Sequence, residues 1–380
     1  MGPLAGIQLI ELAGIGPGPM AAMMLGDMGA DIVRVDRIEP TALDRLVHPK
    51  HDAHRRSRRS LGLDLQNPRA AEVILRLVER ADGLIDPFRP GVTERLNVGP
   101  DVCLERNPRL VYGRITGWGQ EGPLAKSAGH DINYIALTGV LHATGRRDEN
   151  PVPPLNLIGD YGGGGMLLAF GMLCGLINAM KSGCGQIIDA AMVDGTALLF
   201  ASIFGMHAGG FWQDERGANM LDSGAHFYDV YETQDKKYVS IGAIEPRFYS
   251  LLLQKLGLTS TDIPNQMDRA SWPEMRKRFA AVFKRRTREE WCSLLEGTDI
   301  CFAPVLSIAE APHHPHSVAR GAYIDVDGHI QPAPAPRFSR SKPDRPRKAP
   351  QLGGNTEELL TEAGFTSREI EELKAAHVII

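Results

Sequence analysis

The first 36 residues combine two apolar runs with one helical run, and this order restricts the fold to few classes. Ile7–Ala13 predicts a buried strand, residues 14–19 (GIGPGP) a loop, residues 20–30 (MAAMMLGDMGA) a helix, and Asp31–Asp36 a second strand. A strand, a helix and a strand in this order begin a parallel α/β sheet. The same alternation continues to about residue 115. We therefore predict an α/β fold with a Rossmann-like parallel sheet.

The 380 residues exceed what one hydrophobic core usually serves, so a second domain is expected. The stretch HFYDVYETQDKKYVSIGAIE alternates like a hairpin and is followed by helical segments, which indicates a smaller α+β domain. The predicted division is a large domain at 1–191 completed by 334–380, a linker at 192–222, a small domain at 223–315 and a return linker at 316–333.

Composition excludes several classes of protein. The net charge of −4 gives no reason to expect nucleic-acid binding. The five cysteines are scattered and form no CxxC pair, so neither a zinc site nor a disulfide framework is expected. The N-terminal segment does not resemble a signal peptide, and no run approaches the roughly 18 uninterrupted apolar residues of a membrane span. We expect a cytoplasmic protein without a membrane span.

The glycine-rich loop at residues 14–19 resembles a dinucleotide fingerprint, with Asp36 about twenty residues further on. The third glycine of that fingerprint is replaced by Pro19, and Pro17 and Pro19 lack the backbone N–H groups that would face a pyrophosphate. A tight turn at the start of a helix is therefore favoured over a nicotinamide site.

Four arginines lie within five positions in HRRSRRS, residues 54–60. Such a run is typical of a solvated face. It would also suit a phosphate-binding rim, because Arg37 ends the second strand at the carboxyl edge where α/β proteins bind ligands. Both interpretations remain open from the residues alone.

A third group of residues carries possible acid–base chemistry. His130 lies in GHDINY, and Asp160 lies about thirty residues later, immediately before four glycines that open a helix. Glycines at that position allow a ligand to approach the backbone. Glu245 follows an apolar strand and precedes a proline. Each of these residues also has an ordinary structural interpretation: a histidine in a turn, a helix-capping aspartate and a surface glutamate.

The longer motifs ELAGIGPGP, GADIVRVDR, GHDINYIALTGVL, PPLNLIGDYGGGG, GQIIDAAMVDGTA, RGANMLDSGA and GAIEPRFY together resemble the α-methylacyl-CoA racemases. That group belongs to the family III CoA-transferases of the CaiB/BaiF superfamily. The resemblance implies an interlocked-ring homodimer and an isomerase of lipid and fatty acid metabolism. The implied substrate is a 2-methyl-branched acyl-CoA, and because CoA is part of it, no cofactor or metal is expected.

The resemblance also assigns site residues. His130 and Asp160 would be the acid–base pair, and Glu245 the carboxylate that approaches the histidine from the partner. The implied CoA-contacting residues are Arg37, Leu63, Asp64, Leu65 and Gln66. The implied acyl-thioester stretch is Gly129, His130, Asp131, Ile132, Asn133 and Tyr134, with the N–H of Asp131 as our candidate donor to an enolate. The alternative is a CoA transferase that forms an aspartyl anhydride at Asp160.

Overall fold

The structure is a computed structural model that describes residues 1–39, 49–258 and 262–380. The chain divides into two compact units. The first comprises Met1–Thr138, Leu155–Phe200 and Gly321–Ile380, and the second comprises Gly139–Pro154 and Ala201–Arg320.

The first unit is built on a parallel sheet of six strands within the described ranges. In chain order the strands are Gln8–Leu12 (β1), Asp31–Asp36 (β2), Arg58–Gly62 (β3), Gly83–Asp86 (β4), Val111–Thr116 (β5) and Gln186–Ala191 (β6). Their order across the sheet is β3-β2-β1-β4-β5-β6. The chain order switches at β1, where β2 and β4 lie on opposite sides, so the predicted Rossmann-like α/β class agrees with this sheet. An antiparallel hairpin of Tyr323–Val326 (β10) and His329–Pro332 (β11) belongs to the same unit.

Helices cover both faces of the sheet because its central strands are apolar on both sides. Among the described residues, the α-helices of this unit are Pro17–Asp27 (α1), Ala70–Val78 (α2), Val92–Arg95 (α3), Pro100–Arg106 (α4), Asp131–Leu137 (α5), Leu167–Ser182 (α7), Met192–Leu199 (α8), Thr356–Glu362 (α14) and Ser367–Ala375 (α15). One core packs α2, α14 and α15 against one face, and the other packs α1 and α7 against the opposite face. A capping box of Thr366 and Glu369 begins α15.

The second unit contains the predicted hairpin. Tyr228–Glu232 (β7) and Tyr238–Gly242 (β8) pair antiparallel, and Phe302–Val305 (β9) adds a third strand. The helices of this unit are Val140–Ala143 (α6), Ala201–Ala208 (α9), Pro246–Leu256 (α10), Trp272–Phe283 (α11), Arg288–Leu295 (α12) and Pro315–Arg320 (α13). Phe227, Trp272, Phe279 and Phe283 lie in its core.

The division into units differs from the sequence boundaries in three places. The predicted return linker at 316–333 contains most of α13 and the hairpin of β10 and β11, and its residues 321–333 belong to the first unit. The other two differences concern 192–222 and 139–154. Much of the predicted linker at 192–222 is helical, in α8 and α9. Residues 139–154, predicted as part of the large domain, belong to the second unit. Arg216 explains the placement of residues 139–154, because its guanidinium donates to the carbonyls of His142 at 2.8 Å, Arg146 at 3.2 Å, and Glu149.

The apolar segment that begins at Leu157 forms a π-helix, Leu157–Met166, which continues into α7. This segment is not buried on all sides, because Phe170, Ile177 and Met180 on the outer side of α7 are exposed. The run Leu157–Ser182 is long and apolar enough to cross a membrane by length and composition, and half of its most apolar stretch is buried inside the protein. Because the core helix of a soluble protein passes the same test, this run is weak evidence for a span.

Candidate active site

His130 lies at the N-terminal boundary of α5, with an extended backbone (φ −135°, ψ 174°). The side-chain oxygen of Asn133 accepts a hydrogen bond from the His130 N–H at 3.1 Å and fixes this turn. The Nδ1 atom of His130 lies 2.6 Å from the Gly129 carbonyl oxygen. A carbonyl can only accept, so Nδ1 carries the proton of the neutral ring and Nε2 has a lone pair. The exposed His130 is therefore oriented as a base through Nε2.

Asp160 occupies the first turn of the π-helix, a rare type of helix that is frequently found at functional sites. Its Oδ2 accepts a hydrogen bond from the side-chain amide of Asn156 at 3.1 Å. The same oxygen lies 3.2 Å from the position that a Cβ on Gly16 would occupy. Gly16 also has a φ of 70°, which L-residues with side chains rarely adopt. The loop at residues 14–19 thus approaches the Asp160 carboxyl.

One hydrogen bond joins the histidine segment to the aspartate segment. The Oδ1 atom of Asp131, directly after His130, accepts from the backbone N–H of Asp160 at 2.7 Å. That oxygen lies 2.6 Å from the ideal Cβ position of Gly159, so a residue larger than glycine would displace the bond. The structure therefore brings the segments of His130 and Asp160 together, although about thirty residues separate them in the chain.

The surroundings of Asp160 raise the pKa of its carboxyl above the ordinary value. Burial is the largest cause, because it disfavours the charged form. The hydrogen bond from Asn156 acts in the opposite direction, the negative charge of Asp131 raises the pKa further, and the charge of His130 lowers it. A carboxyl with a raised pKa is suited to donate a proton near neutral pH.

The aromatic pair Tyr134 and Trp118 packs against Gly129 in the histidine loop. The rings of Tyr134 and Trp118 meet edge to face, with centroids 4.7 Å apart. The Tyr134 hydroxyl donates to the Gly129 carbonyl, the same oxygen that accepts from His130 Nδ1. Tyr134 is buried, whereas Ile132 and Asn133 are exposed on the same helix. Within the predicted acyl-thioester stretch, the buried Tyr134 therefore supports the histidine loop, whereas the exposed Ile132 and Asn133 are accessible to a ligand.

The predicted CoA-contacting residues lie at the carboxyl edge of the sheet. Arg37 is exposed directly after β2, and residues 63–66 follow the neighbouring strand β3. Leu63 has no exposed surface and packs in the core, so only its backbone could contact a ligand. Leu65 is partly buried against the same core, whereas Asp64 is half-buried and Gln66 is exposed.

For Arg56 and Arg58, both sequence interpretations of the arginine run, a solvated face and a phosphate-binding rim, are wrong. Arg56 and Arg58 are only 2% and 4% exposed, so they form neither a solvated face nor a phosphate-binding rim. Arg56 donates to Asp27 at 3.0 Å, and Arg58 donates to Glu11 at 3.0 Å. Arg58 opens β3, which places it at the amino end of the sheet, opposite the edge with Arg37. The run forms buried ion pairs because the strand begins within it.

Glu245 belongs to the second unit. It is exposed at the N-terminal boundary of α10, three residues after the end of β8. Its side chain makes no capping hydrogen bond.

Two residues of the site had no function in the sequence interpretation. Asn156 lies within the motif PPLNLIGDYGGGG, and Gly16 lies in the turn predicted at residues 14–19, but neither residue was assigned a role. The spacing of Asn156 and Asp160 is the i, i+4 separation of helical neighbours, a signal that could have revealed this pair. The approach of Gly16 to Asp160 joins distant parts of the chain, so no local pattern indicates it.

Comparison with known proteins identifies the family of this chain. The sequence model of CoA-transferase family III matches residues 4–356. The chain is 46% identical to the α-methylacyl-CoA racemases of Mus musculus and Homo sapiens, over 99% of this chain and 97% of each relative. A crystal structure of a CAIB/BAIF family protein from Brucella suis has the same fold, with a TM-score of 0.82 at 24% identity, and the match covers 95% of this chain and 99% of that one. The chain belongs to CoA-transferase family III.

Proposed function

We propose that this protein is an α-methylacyl-CoA racemase, which interconverts the (2R) and (2S) forms of 2-methylacyl-CoA thioesters. The observation that carries the proposal is the hydrogen bond from the Asp160 N–H to Asp131, which brings the segment of a histidine base beside a carboxyl of raised pKa. The 46% identity to two racemases over nearly the whole chain supports the same activity.

Racemisation at the carbon beside a thioester requires removal of its proton from one face and delivery of a proton to the other. In one direction the Nε2 of neutral His130 removes the α-proton, and protonated Asp160 supplies the replacement. In the other direction the two residues exchange roles. The Gly129 carbonyl holds the proton on Nδ1, which leaves Nε2 as the base. The raised pKa of Asp160 increases the fraction of enzyme with a proton available to donate.

The intermediate is an enolate, and its oxygen needs a hydrogen-bond donor. Asp131 is the first residue of α5, where backbone N–H groups have no partner within the helix. Its N–H is therefore our candidate donor to the thioester oxygen as negative charge develops there. The donor and the base then belong to consecutive residues.

The CoA part of the substrate would lie along the carboxyl edge of β2 and β3. Arg37 supplies a guanidinium that can bind phosphate oxygens, and Asp64 and Gln66 supply polar groups on the adjacent strand end. No separate cofactor is needed for this chemistry, because the thioester itself acidifies the α-carbon.

We further propose that the protein is a homodimer in which the partner subunit's Glu245 approaches His130. In this chain Phe170, Ile177 and Met180 form an exposed apolar strip on α7, which a second copy would cover. Because Nδ1 already donates to Gly129, the carboxylate would act mainly by stabilising the imidazolium that forms when His130 takes up a proton.

The proposal is tested by exchange of the α-proton with deuterated water for each enantiomer of a 2-methylacyl-CoA. His130→Ala should abolish exchange for one enantiomer, because general-base catalysis contributes about 10²- to 10⁴-fold. His316→Ala, at an exposed position of α13, is the matched control and should exchange both enantiomers at the parent rate. Exchange of both enantiomers by His130→Ala would contradict the assignment.

The family also contains CoA transferases, so transferase chemistry is the alternative outcome. In that reaction the Asp160 carboxylate would attack the thioester carbonyl, expel the CoA thiolate and form a mixed anhydride. Hydroxylamine would convert that anhydride into a hydroxamate on the protein. A racemase forms no acyl-enzyme, so treatment during turnover should leave the mass of Asp160 unchanged.

A further inference from the structure

The side chain of Asp131 has no part in the proton transfer described above, although its backbone does. The residue is 5% exposed. Its Oδ1 accepts from the Asp160 N–H at 2.7 Å, and its Oδ2 is buried without a hydrogen-bond partner among the described residues. A buried carboxylate oxygen without a partner is unfavourable. An asparagine would make the same hydrogen bond without burying a charge, so the charge itself calls for an explanation.

The charge of Asp131 acts on Asp160. Asp131 and His130, both at the start of α5, are the charged residues whose fields change the proton affinity of Asp160, and they act in opposite directions. Tyr134, on the same helix, experiences the charges of both aspartates, with Arg89 opposing them. Tyr161, the residue after Asp160, has its ring edge to face with that of His54, with centroids 5.3 Å apart.

We propose that the Asp131 carboxylate is a positioning group that fixes Asp160 through its backbone and, by its negative charge, keeps the transferable proton on Asp160. This inference rests on the proposed racemase function and extends it. Asp131 would then serve both reacting partners. Its N–H faces the enolate oxygen, and its carboxylate faces the acid that returns the proton.

The test is Asp131→Asn, which keeps an oxygen acceptor for the Asp160 N–H but removes the charge. The measurement is kcat/KM against pH in the α-proton exchange assay. The acidic limb should move to lower pH by about one unit, because loss of a nearby negative charge weakens the proton affinity of Asp160. For the enantiomer whose proton His130 removes, the plateau should fall by up to about tenfold, since fewer molecules combine neutral His130 with protonated Asp160. The Tm should stay at or above that of the parent.

Asp131→Ala removes the hydrogen bond as well as the charge. It should shift the acidic limb in the same direction and lower kcat further than Asp131→Asn, with little change in KM. Asp101→Asn removes an exposed carboxylate from the first turn of α4 and is the matched control. Its pH profile should coincide with that of the parent.

The outcomes separate this inference from the function on which it rests. An active parent whose acidic limb stays unchanged in both Asp131 variants would overturn the role of Asp131 alone. A parent that exchanges the α-proton of no 2-methylacyl-CoA would overturn the racemase function and the role of Asp131 in it.

Discussion

Two polar clusters of the first unit, the arginine run and the acid–base site, use charge in opposite ways. In the arginine run, Arg58 has its Nε on Glu11 at 3.0 Å and its other nitrogens on the carbonyls of Arg56 and Pro19 at 2.8 Å and 2.7 Å. Every nitrogen of this guanidinium has an acceptor, and the group is almost fully buried. In the acid–base site, His130 is exposed and its Nε2 is left available, as argued above.

The two clusters show that charged residues with complete hydrogen bonding stabilise the fold, whereas those with incomplete hydrogen bonding are available for chemistry. A buried ion pair is tolerated when hydrogen bonds satisfy both partners, and breaking one is costly. An acid–base site needs groups that can change their protonation state, so some of their hydrogen-bonding atoms must lack a partner. The raised pKa of Asp160 and the unpartnered Oδ2 of Asp131 are two signs of such incompleteness.

The largest effect expected from this contrast is on activity, in Asp160→Asn. The variant should lose about 10³-fold in kcat for racemisation, because the amide can neither donate nor accept the transferred proton. Its stability should nevertheless be maintained. A carboxyl whose folded pKa is raised stabilises the fold below its unfolded pKa, and this contribution is lost as pH rises through the folded pKa.

Urea unfolding of parent and Asp160→Asn therefore gives a second, independent measurement. The stability of the variant relative to the parent should improve as pH rises through that window, since asparagine does not titrate. A variant that unfolds more readily at neutral pH than in acid, compared with the parent, would show that Asp160 is a structural carboxylate like Glu11.

Arg58→Met should lower stability and leave activity nearly unchanged, which is the reverse of the result expected for Asp160→Asn. The substitution leaves Glu11 buried with Arg34 as its remaining described ion-pair partner and removes donors from two carbonyls. We expect a loss of about 3 kcal/mol in the free energy of unfolding, measured in urea. KM for the acyl-CoA should stay within about twofold, because the guanidinium lies at the amino edge of the sheet.

Arg368→Ala is the matched arginine control. Arg368 pairs with Glu372 at 2.8 Å on an exposed helix face, and such pairs contribute less than about 1 kcal/mol. If Arg58→Met instead weakened acyl-CoA binding strongly and left stability intact, the arginine run would have the phosphate-binding role that its burial argues against.

The sequence predicted the local elements of this fold well. The β2 strand has the predicted bounds Asp31–Asp36, and the hairpin around TQDKK is present. These elements depend on apolar periodicity and turn residues, which are local properties of the chain. The burial of the arginines was not predictable in the same way, because their partners Asp27 and Glu11 lie 29 and 47 residues away.

The candidate site was predicted only in part for the same reason. His130 and Asp160 were selected by resemblance, since residue types and spacing alone left their structural interpretations open. The hydrogen bond of Asp131 to the Asp160 N–H and the approach of Gly16 arise only when distant segments meet in the fold. A helix was predicted at the four glycines, but its π conformation over Leu157–Met166 was not, because residue types do not distinguish a π turn from an α turn.

Gly16→Ala gives the smallest expected effect and the finest test of the comparison. The added methyl group would lie 3.2 Å from Asp160 Oδ2, and alanine at a φ of 70° costs about 1 kcal/mol or more. The carboxyl must then shift, so kcat should fall roughly tenfold through misplacement of the acid. Gly257→Ala also has φ 70°, but its ψ of 26° lies in the left-handed region, whereas Gly16 has ψ −118°, and its added methyl group meets no atom within 4 Å. Gly257→Ala should therefore lose less stability in urea than Gly16→Ala, and only Gly16→Ala should lose kcat. Equal kcat in the two variants would show that the loop before α1 is a structural turn, like the arginine run, and not part of the acid–base site.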